Sequence, residues 1–208
     1  LLGVDIGNSQ IKYAIYKEDT LLSITKWPDY KNANVLQYQK FLQNILEEKN
    51  LFKSIDQAII SSVVLESTTL VQDSIKNLLR IDPLIVDSTF DTGGLKLSVP
   101  QPETIGADRL CGMVKAFHTY NPPIVIVDLG TATTFDVIDN QNKFIGGSIC
   151  AGVGMSAISL ANLTSLLPEI QIVSTKKVIA NDTETNILSG TVIAHAAMVH
   201  GMLYRIQK

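Results

Sequence analysis

The sequence predicts an α/β protein made of two related lobes, each a sheet with flanking helices. Three observations predict it. Residues 124–136, IVIVDLGTATTFD, open with an unbroken apolar, β-branched run of the kind that forms a strand buried on both faces. Asp128 ends that run, Gly130 turns it, and Thr131 begins a second β-favouring run through Phe135 and Val137. The same order recurs at the N-terminus, where Leu2-Gly3-Val4-Asp5-Ile6-Gly7-Asn8-Ser9 leads into residues 11–16. Each hairpin then feeds a third strand, 21–27 or 143–150, followed by a helical segment. An internal duplication of α/β units accounts for all three.

Bulk properties narrow the classes. The 208 residues suit two lobes of roughly 100 each, and 46% apolar residues suffice for a core. A net charge of −3, with lysines mostly scattered singly, argues against a nucleic-acid footprint. No helix-turn-helix with a basic recognition face is visible. Cys111 and Cys150 stand far apart and make neither a disulfide framework nor a metal motif, which favours a reducing cytoplasm. The uninterrupted apolar runs are far shorter than the ~20 residues that a bilayer needs, and no signal-like segment precedes the first strand. A soluble, cytoplasmic protein is expected.

In chain order, Asp5 to Lys12 is the first hairpin, with Lys12 placed to approach a phosphate or, equally, to be a solvated strand lysine. Pro28 and Asp29 should stop the third strand. Residues 34–50 alternate at helical spacing, with Val35, Tyr38, Phe41, Leu42, Ile45 and Leu46 inward and Asn34 as cap. Residues 57–64 read as a buried strand ending in Ser61-Ser62. Ser67 or Thr68 should start the next helix, through Leu79, and 83–87 a short strand. Asp91-Thr92-Gly93-Gly94 is a turn, and 96–99 a brief extended piece before Pro100 and Pro102.

A helix then follows Gly106, with Asp108 and Arg109 in its first turn, where the N–H groups and the dipole keep Asp108 ionised. No linker composition separates the lobes, so the boundary is expected inside this helix, giving lobes 1–115 and 116–208. Beyond the second hairpin, Gly152 and Gly154 mark a strand–helix junction suited to close approach of a ligand, without the third glycine of a dinucleotide fingerprint. Residues 156–167 should be helical, stopped by Pro168. Asn181 or Asp182 should cap the last helix, with Glu184 available for a capping box. That helix carries a small-residue face of Gly190, Ala194, Ala197 and Gly201, suited to packing against the second lobe or across a dimer. His118, His195 and His200 lack metal spacing.

A strand ending in a carboxylate, a glycine and hydroxyls can surround a phosphate with N–H groups while the carboxylate holds a cation. Asp5-Ile6-Gly7-Asn8-Ser9, Gly106-Ala107-Asp108-Arg109 and Asp128-Leu129-Gly130-Thr131-Ala132-Thr133, in this order and spacing, resemble the type III pantothenate kinases of the actin-like ATPase superfamily. The resemblance runs end to end, and Gly106 to Arg109 is its most specific part. It implies two duplicated actin-like (ribonuclease H-like) lobes with a nucleotide cleft between them, and ATP-dependent phosphorylation of pantothenate to 4′-phosphopantothenate, the first step of coenzyme A biosynthesis.

By the same resemblance, Asp5, Ile6, Gly7, Asn8, Ser9, Gln10, Ile11 and Lys12 bind the nucleotide phosphates, with Thr131 a further nucleotide contact. Asp108 is the proton acceptor. Gly106, Ala107, Asp108 and Arg109 hold pantothenate, Arg109 suiting its planar carboxylate. Val99 stands where the family often has a Tyr that touches substrate. Thr183, preceded by Asp182 where Asn is common, reaches the substrate of the neighbouring subunit in a homodimer with shared sites. Asp128 takes a monovalent cation, K⁺ or NH₄⁺, beside Mg²⁺ and ATP. Neither nucleic acid nor membrane is an expected partner. The alternatives are another small-molecule kinase of the superfamily, which would share the hairpins but not need Gly106 to Arg109, or a non-catalytic actin-like regulatory protein.

Overall fold

Alternation is the organising pattern of the first strands. In β1 (Leu2–Ile6) and β2 (Ile11–Lys17) every second side chain is fully buried: Leu2, Val4 and Ile6, then Ile11, Tyr13 and Ile15. A period of two puts these six on one face of a sheet, and that face needs a cover. The computed structural model, which describes residues 1–28, 30–52 and 54–208, divides into two compact units, 1–121 and 122–208.

The first unit holds a five-stranded sheet in the order β3-β2-β1-β4-β5, with β3 at Thr20–Trp27, β4 at Ala58–Ser62 and β5 at Leu84–Ile85. β1 runs antiparallel to β2 and parallel to β4. The cover is α1 (Val35–Glu48) with α2 (Leu65–Leu79). From α1 come Tyr38, Leu42, Ile45 and Leu46, and from α2 Val71 and Ile75, joined with the strand residues in one core. Each such side chain contributes roughly 1.5–3 kcal/mol by leaving water. Trp27, closing β3, stacks on Phe41 at 4.5 Å between ring centroids and meets the edge of Tyr38 at 5.1 Å. Asn34 caps α1 in a full capping box with Gln37. The strand stop anticipated at Pro28-Asp29 lies partly outside the described residues, since Asp29 is not among them.

α2 begins earlier than expected, at Leu65, with Val64 as its cap residue and no side-chain cap. Ser67, anticipated as a start, is buried inside the first turn, and Thr68 donates back to the Val64 carbonyl at 2.9 Å. After β6 (Lys96–Leu97) and a single 3₁₀ turn (Pro102–Thr104), α3 spans Ala107–Thr119. The division between units follows α3 rather than falling at 115/116, within one hydrogen-bonded helix.

In the second unit β7 (Ile124–Leu129), β8 (Ala132–Ile138) and β9 (Lys143–Ala151) form an antiparallel meander with β8 in the middle. The expectation that β7 is buried on both faces is not met: its residues are half-buried or exposed. The buried strand is β8, whose Phe135 and Ile138 have no solvent access. α4 spans Val153–Leu163, starting before and ending well before the expected 156–167. Extended Thr164 terminates it, its hydroxyl turning back to the Leu160 carbonyl at 2.7 Å, so Pro168 plays no part in the stop.

The last helical run consists of α5 (Thr183–Leu188), a π-turn at Ser189–Ile193 and α6 (Ala194–Ile206). Asp182 caps it by accepting from the Thr185 N–H at 2.9 Å. Thr185, rather than Glu184, completes the cap, its hydroxyl donating to the same carboxylate. Hydrogen bonds from Thr185 hold the Asp182 carboxyl below its usual range. Although its apolar runs are interrupted by polar residues, 183–206 reaches a mean hydropathy of 1.3. By length and composition it is the one helix among the described residues that could cross a membrane.

Candidate active site

Parallel pairing of β1 with β4 sets Asp5 beside Ser61 and Ile6 beside Ser62, at the C-terminal ends of both strands. The hairpin leaving β1 is closed by the Gly7 N–H donating to the Gln10 carbonyl at 3.1 Å, with Asn8 and Ser9 exposed at its tip. Gly7 does not use left-handed backbone, and neither does Gly130 in the second hairpin. A Cβ at either position would lie 3.5 Å from the nearest carbonyl oxygen, an ordinary contact, so neither turn requires glycine. Opposite Asp5 on β2, Lys12 donates from Nζ to Asp5 Oδ2 at 3.0 Å, both partners being partly exposed. Lys12 is thus not simply solvated; it pairs with the strand-end carboxylate.

α3 brings the remaining groups of this unit. Gly106 caps it without a side chain, the Leu110 N–H donating to the Gly106 carbonyl at 3.0 Å. A Cβ at residue 106 would sit 2.6 Å from Asp108 Oδ1 and 3.4 Å from a Val63 methyl, so glycine is what leaves the carboxylate its place. Asp108 is exposed and accepts from the Arg109 N–H at 2.7 Å, which pins it to the positive end of the helix. Ala107 is buried and anchors the turn.

One turn along the same face stands Cys111, which sequence reasoning had considered only for disulfides and metals. Although Cys111 keeps solvent access, desolvation pushes its thiol above the ordinary value. The Ser61 hydroxyl works against this shift, and the charges of Asp5 and Asp108 add to it. Ser61 Oγ is buried without a hydrogen bond of ordinary geometry. Asp5, Ser61, Cys111 and Asp108 therefore share one neighbourhood. Its signal in the sequence was the i, i+3 spacing of Asp108 and Cys111 together with Ser61-Ser62 at a strand end. Val99 lies in the bend after β6 and is half-buried.

The second unit repeats the device. Asp128, Gly130 and Thr131 are exposed at the β7–β8 turn, where the Gly130 N–H donates to the Ala132 carbonyl at 3.0 Å. Gly152, leading into α4, donates its N–H to the Thr131 carbonyl at 3.0 Å. A Cβ on Gly152 would fall 2.3 Å from the Gly130 oxygen and 2.5 Å from that of Thr131. This glycine therefore lets the start of α4 press against the hairpin backbone. Beneath it, Thr133 Oγ1 and His195 Nε2 are 2.9 Å apart, which makes His195 structural, and His118 Nε2 lies 3.1 Å from the Thr92 carbonyl in the other unit. Thr183 is exposed at the first position of α5. Among the described residues no group of three or more His, Cys, Asp or Glu side chains could hold a metal ion.

Two α/β units, each with a strand–hairpin–strand device carrying an aspartate at the strand end, give the chain an actin-like α/β fold. A solved structure with this fold, a conserved protein from Campylobacter jejuni assigned to the Baf family of transcriptional activators, matches with a TM-score of 0.56 at 18% identity. It covers 97% of this chain and 79% of that one. The family model for type III pantothenate kinase matches residues 1–205. Curated proteins named type III pantothenate kinase are similar over the whole chain. That of Roseiflexus sp. (strain RS-1) is 33% identical over 208 residues, covering 81% of its own length. That of Shouchella clausii is 34% identical over 210 residues, covering 82%. The chain belongs to the type III pantothenate kinase family.

Proposed function

We propose that this chain transfers the γ-phosphoryl group of ATP to the 4′-hydroxyl of pantothenate, releasing ADP and 4′-phosphopantothenate at the start of coenzyme A biosynthesis. The observation that carries the reading is the family match over residues 1–205, together with Asp108 held at the first turn of α3 near the ends of β1 and β4. In the reaction the pantothenate oxygen bonds to the γ-phosphorus while the bond to the β,γ-bridging oxygen breaks. The hydroxyl proton passes to the Asp108 carboxylate. Because phosphoryl transfer has a loose transition state, alignment and charge stabilisation are the main tasks, and a weak base suffices when the proton leaves late.

The other roles follow from residue chemistry. Residues 5–12, through the exposed hairpin tip of Asn8 and Ser9, and the Thr131 hydroxyl are the nucleotide-phosphate contacts of this reading, with Asp5 and Lys12 as a neutral pair at the strand end. Gly106, Ala107 and Arg109 hold pantothenate, the guanidinium on its carboxylate; Val99 borders that substrate with an apolar surface where a Tyr is common. Mg²⁺ offsets phosphate charge in such sites. Asp128, exposed at the end of β7, is the carboxylate that would take a monovalent cation, K⁺ or NH₄⁺, beside the phosphates.

The active unit of the proposal is a homodimer in which Thr183 completes the partner's pantothenate site. Its support is a bare apolar surface on the second unit. Leu163 is 84% exposed, and Leu166 and Ile179 are each 91% exposed. Gly190, Ala194 and Ala197 are exposed rather than packed inward, and α6 buries none of its residues fully. Exposed large apolar side chains such as these are the material of an interaction surface and support the dimer reading.

ADP release measured with Mg²⁺-ATP and pantothenate, with a hexose, and with no acceptor tests the reaction. Pantothenate-dependent release in K⁺ that falls sharply in Na⁺ or Tris is expected. Release driven equally by the hexose would overturn the substrate, and equal rates without K⁺ would remove the cation from Asp128.

A further inference from the structure

Beneath the first hairpin lies a set of buried hydroxyls that the phosphoryl-transfer scheme does not use. Tyr30 and Tyr38 have no solvent access, and Ser67 is buried with them. Tyr30 Oη donates to the Gly7 carbonyl at 2.5 Å. Tyr38 Oη donates at 3.1 Å to the Tyr30 carbonyl, which also accepts the Ala33 N–H at 2.9 Å. A tyrosine hydroxyl this deep needs a partner, but any carbonyl of the core would serve. Its partner here is a carbonyl of the hairpin that meets the nucleotide.

We infer that Tyr30 is a positioning residue for nucleotide binding, acting by locking the Gly7–Asn8 peptide so that the Asn8 N–H points out of the fold. The peptide unit is planar and trans, so the carbonyl of Gly7 and the N–H of Asn8 point in opposite directions. Tying the carbonyl inward to Tyr30 aims the N–H outward, at the exposed tip of the hairpin. The Gly7 N–H is already spent on Gln10, which leaves the Asn8 N–H as the next donor along the turn. A donor fixed before the ligand arrives avoids the ordering cost of aiming it afterwards.

Tyr30 is suited to the role in two further ways. Burial raises its hydroxyl above the ordinary tyrosine value, reinforced by Tyr38 and opposed by Ser67, so it stays a donor across the physiological range. The Ala33 N–H donates to the Tyr30 carbonyl at 2.9 Å, a backbone turn that holds Tyr30 in place without the Tyr38 hydroxyl. The inference rests on the kinase reading only in that a phosphate is the ligand of the hairpin.

The test is Tyr30→Phe, which keeps the ring and removes the lock, with Tyr38→Phe as the control that loses an equally buried hydroxyl not touching the hairpin. ADP affinity is measured by titration calorimetry, and kcat and KM by steady-state assay. Tyr30→Phe is expected to weaken ADP and raise the KM for ATP about 2- to 13-fold, the worth of one hydrogen bond. The KM for pantothenate should stay near wild type, because Tyr30 touches none of the residues assigned to that substrate. Tyr38→Phe should lower thermal stability and leave ADP affinity near wild type. Unchanged ADP affinity in folded Tyr30→Phe, or an equal loss in Tyr38→Phe, would overturn the inference.

If Tyr30→Phe does not fold, the wild type answers by NMR. On adding ADP the Asn8 amide proton should move downfield while the Gly7 carbonyl carbon stays put, and a stationary Asn8 amide would overturn the role. ADP binding does not require pantothenate, so failure of the substrate assignment is separable from failure of this one.

Discussion

Asp108 meets the chain at three points that make its position specific. Its oxygen is held by the Arg109 N–H, its space is kept open by Gly106, and it shares the surroundings of Cys111, one turn along α3, with Asp5 and Ser61 at the strand ends. Asp108→Asn keeps the size and can still accept from that N–H, so the helix start survives. It cannot take a proton. kcat should therefore fall on the order of 10²–10⁴-fold with thermal stability and ADP affinity near wild type. A near-normal kcat would remove Asp108 from proton transfer. The same residue shows what residue-by-residue reading can and cannot reach. An aspartate two positions past a glycine at a helix start was legible as an ionised group of the first turn. Its proximity to Ser61 was not, because that depends on where α3 meets β4.

At the level of elements, the junction of β9 with α4 is the tightest joint at the second hairpin. Gly152 allows the helix start to touch two hairpin carbonyls, and any Cβ there lies inside both. Gly152→Ala must push the hairpin or the helix aside, and overpacking of this kind costs about 1–3 kcal/mol. In a chain of this size that lowers Tm by roughly 2–12 °C, and the displaced hairpin should raise the KM for ATP. Gly154→Ala is the matched control. Its Cβ meets nothing within 4 Å and it lies inside α4, where alanine is the better helix former. Equal Tm for the two variants in differential scanning calorimetry would refute the close-contact role of Gly152. The sequence had marked both glycines alike; only the packing separates them.

For the whole molecule, the exposed apolar surface of the second unit and the outward face of Gly190, Ala194 and Ala197 give shared sites a concrete test. A two-fold interface repeats every contact, so Ala197→Arg should produce monomers with weak activity, read by light scattering. In mixtures of Asp108→Asn chains with Thr183→Val chains, a mixed dimer has one site with both defects and one with neither. Activity should return to a fraction of wild type after subunit exchange. A fully active monomer, or no recovery after verified exchange, would count against shared sites.

Much of this architecture follows from local pattern. Alternation in β1 and β2, helical spacing in α1, the Asn34 and Asp182 caps and the repeated hairpin all act over a few residues, where side-chain periodicity and hydrogen-bonding groups leave little choice. Boundaries set by competition with distant parts were not legible. α4 stops at Leu163 because Thr164 adopts extended backbone, while the visible signal, Pro168, stands further on. β7 looked like a strand buried on both sides from its apolar run, yet the fully covered strand is β8, because burial is decided by what packs on a sheet and not by the strand's own composition. Likewise the sequence offered Lys12 as a phosphate contact or a solvated strand lysine, and gave Tyr30 no role. Only tertiary structure pairs one with Asp5 across two strands and hangs the Gly7 carbonyl on the other, since contacts between residues distant in the chain are made by the fold.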